Sequence, residues 1–163
     1  MVDFGENHRI VDMKLDEKNV VKRSPEIEHE RAVAMYDLLD MNRFMLVNGP
    51  EGPYSVFLGI DGDGKRLIFG VYDETGDQEI KTFQLLLTPF RRLIRDYFQI
   101  CESYYDAIKK LSPSQIETID MARRGLHNEG SDLLRERLKD KIEMDKATAR
   151  RLFTIVCVLH IRS

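Results

Sequence analysis

Three of the five prolines in this chain directly follow a hydroxyl residue: Ser24–Pro25, Thr88–Pro89 and Ser112–Pro113. An N-cap oxygen takes up a backbone N–H that a helix start leaves orphaned, and proline in the first turn gives up no hydrogen bond. Each pair therefore predicts a helix start. Behind the first, "SPEIEHERAVAMYDLLDMN" sets Glu26, Glu28 and Glu30 near the positive end of the helix dipole. With His29 they read as a solvated helix opening. The apolar residues of this helix fall on two sides, Ile27, Ala34 and Leu38 on one and Ala32, Val33 and Tyr36 on the other, so packing from both sides is expected.

Behind the second pair, with Thr88 as cap, Phe90, Ile94, Tyr97, Cys101, Tyr104 and Ile108 form one stripe at ~100° per residue. Arg91, Arg95, Gln99 and Glu102 lie opposite. The third pair opens "SPSQIETIDMARRGLHNEGSDLLRERL". A last helix starts at Asp145 as cap and becomes apolar all round from Leu152, which predicts a buried helix or a central strand.

Before Thr88 the period is two. Val11, Met13 and Leu15 alternate with Asp12 and Lys14, and "YSVFLGI" and "RLIFGVY" alternate around the turn "DGDGK". "EIKTFQLLL" follows a second turn, "DETGDQ". Such short connections predict antiparallel pairing. The fold class expected is α+β, an antiparallel sheet of about four or five strands with about four helices and an all-helical C-terminal half. It is expected to form a single domain over residues 1–163, loose over 1–8.

The charge balance narrows function. Against 25 basic residues stand 28 acidic ones, a net charge of −3, which disfavours general nucleic-acid binding. Cys101 and Cys157 cannot build a disulfide framework and suit a reducing compartment. No basic-then-apolar leader opens the chain, and no apolar run reaches the ~18 residues that span a bilayer. A soluble cytoplasmic protein is expected, without a membrane partner. GxGxxG, Walker and GxSxG motifs are absent, so no cofactor is expected. No metal is expected either. "DGDGK" offers a calcium loop only Asp61 and Asp63, with Tyr72 at the twelfth position where a bidentate Glu belongs, and Cys101, His127, Cys157 and His160 lack the paired spacing of a zinc site.

One constellation stands out on the third helix. With Ile116 at zero, Leu134 falls at the same angle, and Asp120, Arg123 and His127 lie within about 40° of it. Spacings of three and four let neighbours among them touch. Charges on a core-facing stripe need partners. In one outcome Asp120 accepts from Arg123, His127 bonds a carbonyl, and the group is inert. In the other they line a cleft: Arg123 holds an anion, His127 moves protons and Asp120 orients one of the two, with Asn128 or Glu129 assisting. Gly125 and Gly130 imply close approach by a neighbour or a break in the helix. Arg91, Arg92, Arg95 and Arg124 are candidates for binding RNA or another anion, diluted by Asp96, Glu102 and Asp106.

The blocks "SPEIEHERAVAMYDLL", "LTPFRRLIRDYFQICESYYDAI", "SPSQIETIDMARRGLHNEGSDLLRERL" and "ARRLFTIVCVLH" resemble an uncharacterised bacterial protein family, number two-six-two in the catalogue of unassigned families. The likeness runs from about residue 9 to the C-terminus. It implies a bacterial cytoplasmic protein and transfers no catalytic residue. "RRGLH" is also similar to the Arg-to-His helical motif of HEPN-type ribonucleases, with a shorter step from Arg123 to His127. The expectation is a non-enzymatic interaction or regulatory module whose partner is unknown. A homo-oligomer is a candidate because a helix apolar on all sides must be enclosed. The alternative is a small hydrolase or ribonuclease centred on Asp120, Arg123 and His127.

Overall fold

The computed structural model describes residues 3–17, 24–61 and 63–160. Residues 1 and 2 of the expected loose start, Gly62 of the "DGDGK" turn and Ile161 at the end of the apolar run lie outside them. The chain runs β1 (Ile10–Leu15), α1 (Pro25–Asp40), β2 (Phe44–Leu46), β3 (Tyr54–Ile60), β4 (Arg66–Tyr72) and β5 (Glu79–Leu86). A 3-10 turn, Thr88–Phe90, leads into α2 (Arg91–Lys110), α3 (Pro113–Arg137), β6 (Ile142–Met144) and α4 (Lys146–Leu159). The α+β class and the four helices are as the periodicities predict.

The caps explain most boundaries. Ser24 Oγ accepts from Ile27 N at 3.2 Å, and Asp145 Oδ1 accepts from Thr148 N at 3.1 Å. Ser112 and Gln115 form a reciprocal capping box, each side chain taking the other's amide. Thr88 behaves differently. Leu87 is fully buried and donates to Lys65 O at 2.9 Å, so the chain leaves the sheet there and Thr88 begins a 3-10 turn without a side-chain cap.

The four-stranded sheet has the order β1-β3-β4-β5. The β3–β4 and β4–β5 pairings are antiparallel, as their short turns require. Asp61 Oδ1 accepts from Lys65 and Arg66 amides and Asp63 Oδ1 from Lys65, so these carboxylates serve the hairpin turn. β1 departs from the expectation by pairing parallel to β3. The physical reason is the long connection between them, which contains α1 and β2 and lets the chain cross back before it re-enters the sheet. β2 and β6 form a second, antiparallel sheet with Phe44 opposite Met144. The C-terminal half is therefore helical apart from this short strand. Phe44 ties the two sheets together: its ring stacks on Phe69 at 6.0 Å and meets Tyr54 edge-on at 5.6 Å.

α4 is the buried helix. Every residue from Leu152 to Leu159 is buried, and α1, α3 and β3 pack around it. The helix apolar on all sides thus finds its cover inside one chain, which removes the reason given above for a homo-oligomer. α1 is the reverse case. Ala34 and Leu38 are buried, whereas Val33 and Tyr36 face outward, so only one of its two apolar sides is packed. No helix among the described residues is long and apolar enough to cross a membrane.

Candidate functional site

The site lies where α1, α2, α3 and α4 converge, and α3 runs through it unbroken. Its two glycines do different things. A Cβ at Gly130 would meet the Phe153 ring at 2.5 Å, so glycine there lets α4 press an aromatic ring against the α3 backbone. Around Gly125 there is nothing within 4 Å. Because no break occurs, the azimuths read from Ile116 hold through His127.

Arg123 is the hub. One guanidinium nitrogen donates to Glu30 Oε1 at 2.9 Å and the other reaches Asp120 Oδ1 at 3.2 Å. The guanidinium lies 4.3 Å from the centre of the Tyr104 ring. Arg124 takes the second oxygen of Asp120 at 2.5 Å. The side chains of Arg123, Asp120 and Glu30 are 21%, 16% and 13% exposed, so these ion pairs are largely shielded from water. Burial works against the charge on Arg123, but the Glu30 and Asp120 carboxylates outweigh it and its pKa stays above the ordinary arginine value.

His127 stands apart from that knot. Its ring lies 5.4 Å from Tyr97, and Nε2 is 3.4 Å from the Thr154 hydroxyl, which itself donates to Arg150 O. Burial, reinforced by the nearby Arg123 and Arg150 cations, pulls its pKa down to about 4 despite Asp120. The imidazole is neutral at pH 7. It edges a cleft of about 200 Å³ between α1 and α4, whose walls also carry Glu30, Asp37, Arg150 and Arg151.

Both thiols are buried among these groups. Cys101 Sγ lies 3.7 Å from Glu30 Oε1, and burial together with that carboxylate pushes its pKa up to about 12. Complete burial likewise raises Cys157 well above the ordinary thiol value. The Tyr97 hydroxyl sits beside both and is held un-ionised by burial. These are not activated nucleophiles.

Asp120 and Arg123 are brought together, and His127 sits one turn on with a different partner. Glu129 reaches across to α2 and binds Arg92 at 2.5 Å, while Arg92 also meets Asp96 at 3.3 Å. Arg95 lies 3.6 Å from Asp96, and Arg91 is exposed. Asn128 contributes its carbonyl, which accepts from Ser131 Oγ at 2.9 Å. The residue the pattern missed is Glu30. Its sequence context reads as a solvated helix start, but it lies four positions before Ala34 and so about 40° from the packed side of α1. That azimuth was the available signal. Among the described residues, no three of His, Cys, Asp and Glu converge as metal donors.

Comparison with known proteins places this architecture. A model of the uncharacterised protein family UPF0262 matches residues 7–162. A UPF0262 protein of Roseobacter denitrificans is 57% identical over 157 residues, covering 93% of this chain and 97% of its own. One from Azorhizobium caulinodans is 51% identical over 154 residues, covering 94% of each chain. One from Brucella abortus is 55% identical over 157 residues, covering 96% of each. No solved structure matches significantly. The chain belongs to the uncharacterised bacterial protein family UPF0262.

Proposed function

We propose that this protein is a non-enzymatic interaction or regulatory module of the bacterial cytoplasm. The observation that carries the reading is the uncovered side of α1. Val33, Tyr36 and Leu39 are 41%, 71% and 38% exposed, and at three-residue steps they form a strip about 120° wide. Met41, at the helix C-cap, is also exposed, at 72%. Large apolar side chains grouped on one helix face suit a partner surface, with Tyr36 as the aromatic anchor.

The chemistry around His127 supports this choice over catalysis. An arginine that must grip an anion needs free donors, and Arg123 has committed its two terminal nitrogens to carboxylates. A general acid–base histidine works best with a pKa near the operating pH, whereas His127 is held near 4. Arg92 and Arg124 are likewise occupied by Glu129, Asp96 and Asp120, which weakens a basic surface for RNA. The small hydrolase or ribonuclease reading keeps one observation in its favour, the cleft that His127 edges.

Two variants separate the readings. Tyr36→Glu leaves the core untouched and should abolish capture of a specific partner, or self-association by light scattering, at unchanged melting temperature. His127→Ala should lower melting temperature and leave that association intact. If Tyr36→Glu and the unaltered protein behave identically in every association assay, the interaction reading fails. Turnover of an ester or RNA that His127→Ala abolishes would establish the enzyme instead.

A further inference from the structure

A larger cavity, of about 400 Å³, lies on the other side of Cys101, between the start of α1 and the second half of α2. Its volume falls within the range that small-molecule sites occupy. The floor is apolar, made by Ile27, Phe98 and the buried Cys101. Tyr105 forms an aromatic wall. Among the described residues, the lining carries three carboxylates, Glu26, Glu102 and Asp106, against the single ammonium of Lys109. None of the three carboxylates has an ion pair among the described residues, in contrast to Glu30, Asp120 and Glu129, which are all paired. At the α1 terminus the Ser24 hydroxyl accepts from the Ile27 amide, and the Glu28 amide donates to Ser24 O, so two of the first-turn amides are already used.

The α1–α4 cleft provides the comparison. It balances Glu30 and Asp37 against Arg150 and Arg151, and the one ring in its lining is the His127 imidazole. Among its described lining residues, the cavity by Cys101 has a surplus of negative charge, an apolar part and a ring whose face attracts cations. We propose that it binds an amphipathic organic cation, a primary ammonium on an aliphatic body. The alkyl part lies on Ile27 and Phe98, and the ammonium sits between Glu102 and Asp106 near the Tyr105 ring. The inference is independent of the α1 strip.

The test is a two-dimensional NMR titration of the full chain with n-hexylamine, 1-hexanol and hexanoate, which share one alkyl chain and differ only in head-group charge. Hexylamine is expected to shift resonances of Ile27, Phe98, Cys101 and Tyr105 in a saturable way, with hexanol about tenfold weaker and hexanoate without effect. Glu102→Gln with Asp106→Asn, both exposed sites, should weaken hexylamine about tenfold at unchanged melting temperature. Nα-acetyl-lysine methylamide distinguishes the source. Binding tighter than hexylamine identifies a polypeptide's lysine side chain, and weaker binding identifies a free amine. Equal affinity for all three head groups, no shift up to about 10 mM, or an unaffected double variant would overturn the proposal.

Discussion

Arg123 serves Glu30, Asp120 and the Tyr104 ring with a single guanidinium, and His127, one turn along, is kept neutral first by its burial and then by that cation. In the unfolded chain its pKa is ordinary, about 6.5; in the fold it is about 4. Above pH 6.5 both states hold the ring neutral and stability is unaffected by it. As pH falls from 6.5 toward 4, the unfolded chain takes up a proton that the native state refuses, so stability drops, by roughly 2 kcal/mol at pH 5. His127→Gln should remove this component, which denaturant unfolding of the two proteins between pH 7 and pH 5 would read directly. An equal loss in both proteins would show that the ring is free to protonate in the fold. Of these residues, the Asp120–Arg123 contact was legible in the sequence, because a spacing of three on one helix is local geometry. The Arg123–Glu30 contact was not, since its members are 93 positions apart and only the packing of α1 on its neighbours joins them.

The elements were read best where the chain itself carries the signal. Ser24, Ser112 and Asp145 cap the helices they were expected to cap, because N-capping is a contact over three residues. The parallel β1 and the three-residue strands β2 and β6 were not legible, since each depends on a partner far along the chain. The glycines of α3 were ambiguous in sequence and differ in three dimensions, which gives opposite expectations for the same substitution. Gly125→Ala enters open space in a helix interior and should stabilise by about 0.5–1 kcal/mol, raising the melting temperature by roughly 2 °C. Gly130→Ala drives a methyl group into the Phe153 ring and should cost about 1–3 kcal/mol. Calorimetry on the pair decides it. Shifts of the same sign would mean that Phe153 yields, or that α3 does not pass Gly125 as a regular helix.

At the scale of the molecule, α4 is enclosed by α1, α3 and β3, so Leu152 to Leu159 ask for no second copy, and the surface left to explain is on α1. Tyr36→Ser should accordingly leave the melting temperature within about 1 °C of the parent protein, since surface changes away from packed features rarely exceed 0.5 kcal/mol. A large loss would place Tyr36 in the fold and not in an interface. α1 is held by the packing of Ala34 and Leu38, chiefly against α4, and the part-buried Arg123–Glu30 pair ties it to α3 as well. The account stands on that pair being structural, and a double-mutant cycle on it is the most direct measurement. Arg123→Met alone strands the Glu30 carboxylate and should cost about 2–4 kcal/mol, and Glu30→Gln combined with it should recover enough to give a coupling of about 1–3 kcal/mol. A coupling near zero, with Arg123→Met as stable as the parent protein, would contradict the structural reading and return Arg123 to the pool of groups free to bind an anion.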